Sequence, residues 1–174
     1  MKEFTITQND AGQRLDRFLS KAVPLLPESL MQKYIRLKRI KLGGKRVERN
    51  TRLNVGDVLQ LYINDEFFET PKAENAYLTV SAPKLNIVYE DENILLCDKK
   101  PGMLVHLGDE GDRNRAEGSE KETLIYLLTA YLVNKGEYDP KNESSFAPAL
   151  CNRIDRNTGG IVILAKNAEA LRLM

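Results

Sequence analysis

Apolar residues recur with a helical period over residues 13–23. Leu15, Phe18, Leu19, Ala22 and Val23 form one stripe, and Arg14, Asp16, Arg17 and Lys21 fall off it. Pro24 and Pro27 end that helix. Pro27, Glu28 and Ser29 suit a first helical turn, so a second helix is expected to run to about Leu37, with Leu30, Tyr34 and Leu37 on one side. The pattern then turns to alternation. Ile40 and Leu42 alternate with Arg39 and Lys41, Gly43-Gly44 makes a turn, and Val47 resumes. After the turn Asn54-Val55-Gly56-Asp57, the run Val58 to Ile63 alternates again. Further on, Ile87-Val88-Tyr89 and Ile94-Leu95-Leu96-Cys97 read as two strands joined by the turn 90–93. Leu124, Leu127, Leu128, Tyr131 and Leu132 mark a helix that Thr123 can cap. Ile161 to Ala165 reads as a buried strand. Residues 108–122 hold no large apolar side chain and are expected to be a solvated loop.

These elements predict an α+β protein in two parts. Residues 1–66 form a small α/β domain, 67–82 a linker around Pro71, and 83–174 the first part of a mainly antiparallel sheet with helices. The length of 174 residues suits two small domains.

Charge changes this picture. Between Lys33 and Arg52, nine lysines and arginines stand against one acid, Glu48. The rest of the chain holds 17 basic and 24 acidic residues, so a net charge of +1 conceals a strongly basic block. Lys33, Arg36, Lys38, Arg39, Lys41, Lys45 and Arg46 lie on the second helix and the first hairpin. Such a cluster can meet several phosphates at once and gain affinity from counterion release. A solvated helix face is the bland alternative.

Composition excludes other classes. No apolar run is long enough for a membrane span, and the first residues lack the apolar stretch of a signal peptide, so a cytoplasmic protein is expected. Cys97 and Cys151 are far apart and read as free thiols. With one histidine, His106, and no paired cysteines, no metal site is expected.

Asp155 is the candidate catalytic group. It lies between Arg153 and Arg156, whose charges favour the carboxylate, and Thr158-Gly159-Gly160 places it on a tight turn before a strand. An anionic aspartate there can serve as nucleophile or base. A structural aspartate capping its own turn is the alternative.

The order RLDRFL, second helix, RIKLGGKRV, LNVGDVLQL resembles the S4 RNA-binding domain over about residues 13–63. NRIDRNTGGIVILAKN is similar to the "H-R-L-D-x-x-T-S-G" signature of the RluA family of pseudouridine synthases, and NIVYEDENILLCDKKPGMLVH resembles that family's upstream motif. The resemblance implies isomerisation of selected uridines in structured RNA, with large-subunit ribosomal RNA as the expected partner and no cofactor. By the same match Asp155 is the essential aspartate, Arg153 contacts RNA around the flipped base, and Thr158 and Gly160 shape the aspartate's turn. Lys99, Gly102 and His106 match the upstream motif and are read as structural. Asp155 could attack the base or the sugar, or abstract a sugar proton. Three positions depart from the pattern: Asn152 for His, Gly159 for Ser and Lys100 for Pro. The family's domain continues past this motif, so the chain is expected to be a fragment, inactive by itself. A non-catalytic RNA-binding protein and a carboxylate-dependent hydrolase are the competing readings.

Overall fold

The computed structural model of the chain describes residues 1–68, 84–106 and 123–174. The expected loop 108–122 and residues 69–82 of the expected linker lie outside these. The described chain forms two compact units. The first comprises residues 1–68 with 143–146 and 167–173, and the second 84–106, 123–142 and 147–166.

The first unit packs two helices, α1 (Leu15–Ala22) and α2 (Glu28–Arg36), on an antiparallel sheet. Its strands are β1 (Lys2–Thr5), β2 (Ile40–Leu42), β3 (Lys45–Arg46) and β4 (Val58–Leu61), in the order β1-β4-β2-β3. Leu15, Phe18 and Leu19 of the predicted stripe are fully buried with Met31, Ile40, Leu53, Leu59 and Leu61. Each such side chain contributes about 1.5–3 kcal/mol by leaving water. The β2–β3 hairpin turns on Gly43 and Gly44, whose φ angles of 55° and 76° are both positive. A two-residue turn of that kind matches strand twist and is costly for residues with a Cβ.

Helix α2 ends in a tight reversal. Lys38 donates its backbone N–H to Ile35 and Arg39 donates to Tyr34, at 3.0 and 2.9 Å. This double closure requires a left-handed residue after the cap, and Lys38 takes that place at φ 58°. A lysine there costs roughly 1 kcal/mol that a glycine would not. A short helix, α4 (Ala168–Leu173), completes the unit. The backbone N–H of Ala168 bonds the carbonyl of Asn9, and the buried carboxylate of Asp10 accepts from Ser145 Oγ at 2.5 Å.

The second unit is a sheet of β5 (Ile87–Glu90), β6 (Ile94–Lys99), β7 (Ala149–Leu150) and β8 (Gly160–Ala165), all antiparallel, in the order β5-β6-β8-β7. Helix α3 (Leu124–Lys135) buries Leu124, Leu128 and Leu132 with Leu95, Cys97, Val162 and Leu164 of the sheet. The two-part α+β architecture agrees with the hydrophobic pattern.

Several local expectations need correction. Strand β8 is not buried throughout: Ile161 is 42% exposed, while Val162 and Leu164 are covered. Thr123 occupies the N-cap position of α3, but its side chain makes no capping hydrogen bond. That helix is also not a one-sided stripe, because Tyr126, Thr129 and Ala130 are buried as well.

Candidate active site and nucleic-acid interface

Strand β6 inserts Leu95, Cys97 and Lys99 on its inner side, so the alternation that buries two apolar residues also buries a lysine. Lys99 is 1% exposed. Its ammonium donates to three backbone carbonyls: Met103 at 3.0 Å, Arg156 at 3.0 Å and Lys100 at 3.2 Å. Three acceptors match its three N–H donors. Burial pushes the Lys99 ammonium below the usual lysine range, and the charge of Asp155 acts in the opposite sense.

The same two loops are tied again. Gly102 donates its N–H to the carbonyl of Arg156 at 2.8 Å, and Arg156 Nε returns a bond to the carbonyl of Gly102 at 3.1 Å. Asp155 lies one residue before this anchor. The N–H of Thr158 closes the turn onto the carbonyl of Asp155 at 3.1 Å. Lys99 also stands opposite Gly160 in the β6–β8 register, so strand pairing fixes both ends of the site.

Asp155, Arg153 and Thr158 are exposed, and Gly160 is half-buried at φ 147°. Among the described residues, neither Arg153 nor Arg156 forms an ion pair with Asp155. The two arginines that flank Asp155 in sequence do not close on its carboxylate. Arg156 turns to the Gly102 carbonyl, and the nearby charge that Asp155 acts on belongs to Lys99.

In the first unit, Lys33, Arg36, Lys38, Arg39, Lys45 and Arg46 are exposed and Lys41 is half-buried. None of the seven forms an ion pair among the described residues. Arg36 and Arg46 come together with Arg14 and Arg49 along a groove of about 580 Å³. Lys41 lies 5.3 Å from the ring of Tyr62, and Arg39 lies 5.7 Å from that of Tyr34. Arg14 escaped the charge reading because it precedes the basic block. Its only signal was a cation beside the α1 stripe.

Comparison with known proteins follows the same two-part layout. A family model described as S4 domain matches residues 13–59, and one described as RNA pseudouridylate synthase matches residues 93–174. An uncharacterized RNA pseudouridine synthase of Mycoplasma capricolum is 34% identical over 168 residues, which is 96% of this chain and 51% of the relative. An S4 domain followed by a synthase domain is the layout expected of an RluA-type RNA pseudouridine synthase. The ribosomal large subunit pseudouridine synthase C of Buchnera aphidicola is 30% identical over 96% of this chain and 47% of its own length. Its Escherichia coli namesake is 27% identical over 99% of this chain and 48% of its own. The chain thus spans about half the length of the curated relatives it matches.

Two departures from the family's pattern lie against each other. A Cβ on Gly159 would stand 3.2 Å from Cδ of Pro101 and 3.3 Å from the carbonyl oxygen of Lys99. With lysine at position 100, the proline sits one residue later, against the space a serine side chain at 159 would enter. The third departure has its own work. Asn152 accepts from the N–H of Ile163 at 2.8 Å and donates to the carbonyl of Ile161 at 3.1 Å, prolonging the β7–β8 pairing with a side chain.

Proposed function

We propose that this chain supplies the RNA-gripping surface and the catalytic aspartate of an enzyme that converts selected uridines in structured RNA to pseudouridine. The reading rests above all on one arrangement: an exposed Asp155 on a turn anchored by the buried, carbonyl-bound Lys99. Residues 1–66 hold the RNA and 83–174 present the carboxylate. Large-subunit ribosomal RNA is the favoured substrate, because relatives with this layout carry that designation.

The chemistry asks little of a cofactor. The bond from uracil N1 to C1′ breaks, the base turns, and a bond forms from C5 to the same C1′. The hydrogen on C5 leaves as a proton, and N1 gains one, so atoms balance. A base in a helix cannot turn, so it must leave its stack first. Asp155 then acts within the flipped nucleotide's reach, with orientation supplying much of the rate. Arg153, two residues before it and exposed, contacts the RNA around the vacated position.

The test is tritium release from RNA labelled at uracil C5, using the full-length protein. Asp155→Ala is expected to lower the rate by about 10⁴-fold while RNA affinity stays within a factor of two or three. No release from the unsubstituted protein would leave only a non-catalytic RNA-binding protein, and unchanged release from Asp155→Ala would take the aspartate out of the chemistry. Free uracil or cut RNA as product would indicate a hydrolase instead.

A further inference from the structure

A second groove, of about 450 Å³, is also lined by Arg14. Arg14, Arg17, Lys21, Arg52 and Arg172 line it, with Phe146, Leu171 and Ala168 among its apolar walls. No carboxylate lines it among the described residues. Arg14 also lines the groove of the basic block, so the two cation-rich grooves share a residue.

We infer that RNA does not stop at the basic block but continues through Arg14 into this second groove, where its phosphodiester backbone lies between α1 and α4. The inference rests on the RNA-binding reading given above. The residues that line the groove support it.

Arg17 and Lys21 are exposed, one helical turn apart, off the buried Leu15–Phe18–Leu19 stripe. At about 1.5 Å rise per residue they stand roughly 6 Å apart along the axis, so they can meet different phosphates. Neither forms an ion pair among the described residues. Arg52 is anchored in place, its Nη1 donating to the carbonyl of Gly12 at 2.7 Å, with donors left for a ligand.

Asp16, the one acid of α1, is already neutralised. It takes Arg14 at 2.6 Å and Arg49 at 3.4 Å, linking a residue of both grooves to a residue of the first. Arg172 reaches the groove from α4, and its contact to Glu169 is loose at 3.7 Å between exposed groups. The apolar walls leave room for a ribose or an unstacked base beside the phosphates, which a purely ionic surface would lack.

An acidic protein segment would also find cations here. The sharing of Arg14 with the first groove favours one long polyanion over two separate partners. Cations line both grooves, and a shared RNA explains both with one ligand.

The experiment measures affinity against salt for the full chain and an RNA hairpin with a single-stranded flank. Arg17→Glu/Lys21→Glu and, separately, Arg172→Glu are compared with Arg36→Glu/Arg46→Glu in the first groove. The Arg17/Lys21 pair is expected to weaken binding about tenfold or more and to reduce the log–log salt slope by about 1.4 to 1.8. Arg172→Glu is expected to reduce it by about half that amount. A milder pair, Arg17→Gln/Lys21→Gln, guards against misfolding and is expected to give a smaller loss of the same kind at an unchanged melting temperature.

If only the first-groove variant changes binding, the second groove is not an RNA path and the RNA reading itself stands. If no variant changes binding, the RNA reading of both grooves falls. If the second-groove variants leave the RNA slope intact but abolish binding of a poly-glutamate peptide, the surface serves an acidic protein and the inference is overturned.

Discussion

In the first unit Lys33, Arg36, Lys38, Lys45 and Arg46 stand in water with no carboxylate partner among the described residues. In the second, Lys99 and Lys166 are withdrawn from water, and each is held by three oxygens. The same residue type therefore does opposite jobs. A solvated cation contributes little to folding and is available to a polyanion. A buried one must be satisfied from all sides, and in return it fixes the loops that satisfy it. The difference implies that mutations of lysine should cost binding in one unit and stability in the other.

Lys99→Met tests this most severely. Methionine fills the volume but leaves the carbonyls of Lys100, Met103 and Arg156 without their donor. Loss of about 3 kcal/mol in denaturant unfolding is expected, from three buried acceptors losing a charged partner. Uridine isomerisation should fall with it even under conditions where the variant is folded, because the Asp155 turn loses its anchor. RNA affinity should be unchanged. A stable variant with normal activity would mean that Lys99 holds nothing.

The next largest effect concerns Glu90. Its carboxylate accepts from Tyr131 Oη and Lys135 Nζ at 2.9 Å and from Lys166 Nζ at 3.0 Å. Burial alone would raise its pKa, but these donors outweigh burial and hold the group below the usual carboxylate range. A folded value below the unfolded one means stability that is fully present above the ordinary carboxylate pKa. It is lost as pH falls through the depressed value. Glu90→Gln should cost about 2 kcal/mol at neutral pH and flatten the acid limb of the stability profile. An unaltered acid limb would place the pH sensitivity in another group. Reversing Lys33 in the first unit to Glu should leave that limb almost where it is.

How much of this was legible in the sequence differs between the units. The helices and strands of the S4 domain announced themselves, because Leu15, Phe18 and Leu19, then Ile40 and Leu42, carry clear periods. Strand β1 did not: Lys2-Glu3-Phe4-Thr5 offers a single apolar residue, and its pairing with β4 supplies the rest. Helix α4 is six residues long, too short for a period to show. Asp155 stood out through its turn. Its surroundings did not, since Arg153 and Arg156 are neighbours in sequence and yet form no ion pair with it among the described residues, whereas Lys99, distant in sequence, feels its charge. A lysine two places beyond Cys97 reads as the polar end of a strand. Only the three carbonyls reveal that it belongs to the core.

The contact between the two family departures gives a smaller and sharper test inside the second unit. Gly159→Ser should be destabilising by about 1 kcal/mol, since its Cβ would press on Pro101 and on backbone at Lys99. In a Pro101→Ala background most of that cost should vanish, a coupling measurable by a double-mutant cycle. Additive costs would mean that the two departures are independent.

The smallest effect carries the contrast between the units into one residue. Lys38 holds a left-handed conformation that suits glycine, at the point where α2 hands the chain to the basic hairpin. Lys38→Gly relieves the strain, so a gain of about 0.5–1 kcal/mol in stability is expected, net of the entropy glycine adds to the unfolded chain. It also removes one exposed cation from the RNA surface. Affinity should weaken by a few-fold, with the salt slope falling by about 0.7 to 0.9. A stabilised protein that binds RNA less well would show that this lysine is kept for its charge against the preference of the backbone. Should Lys38→Gly stabilise the fold and leave the salt slope intact, Lys38 would lie off the RNA path, and the boundary of the basic surface would move to Arg39.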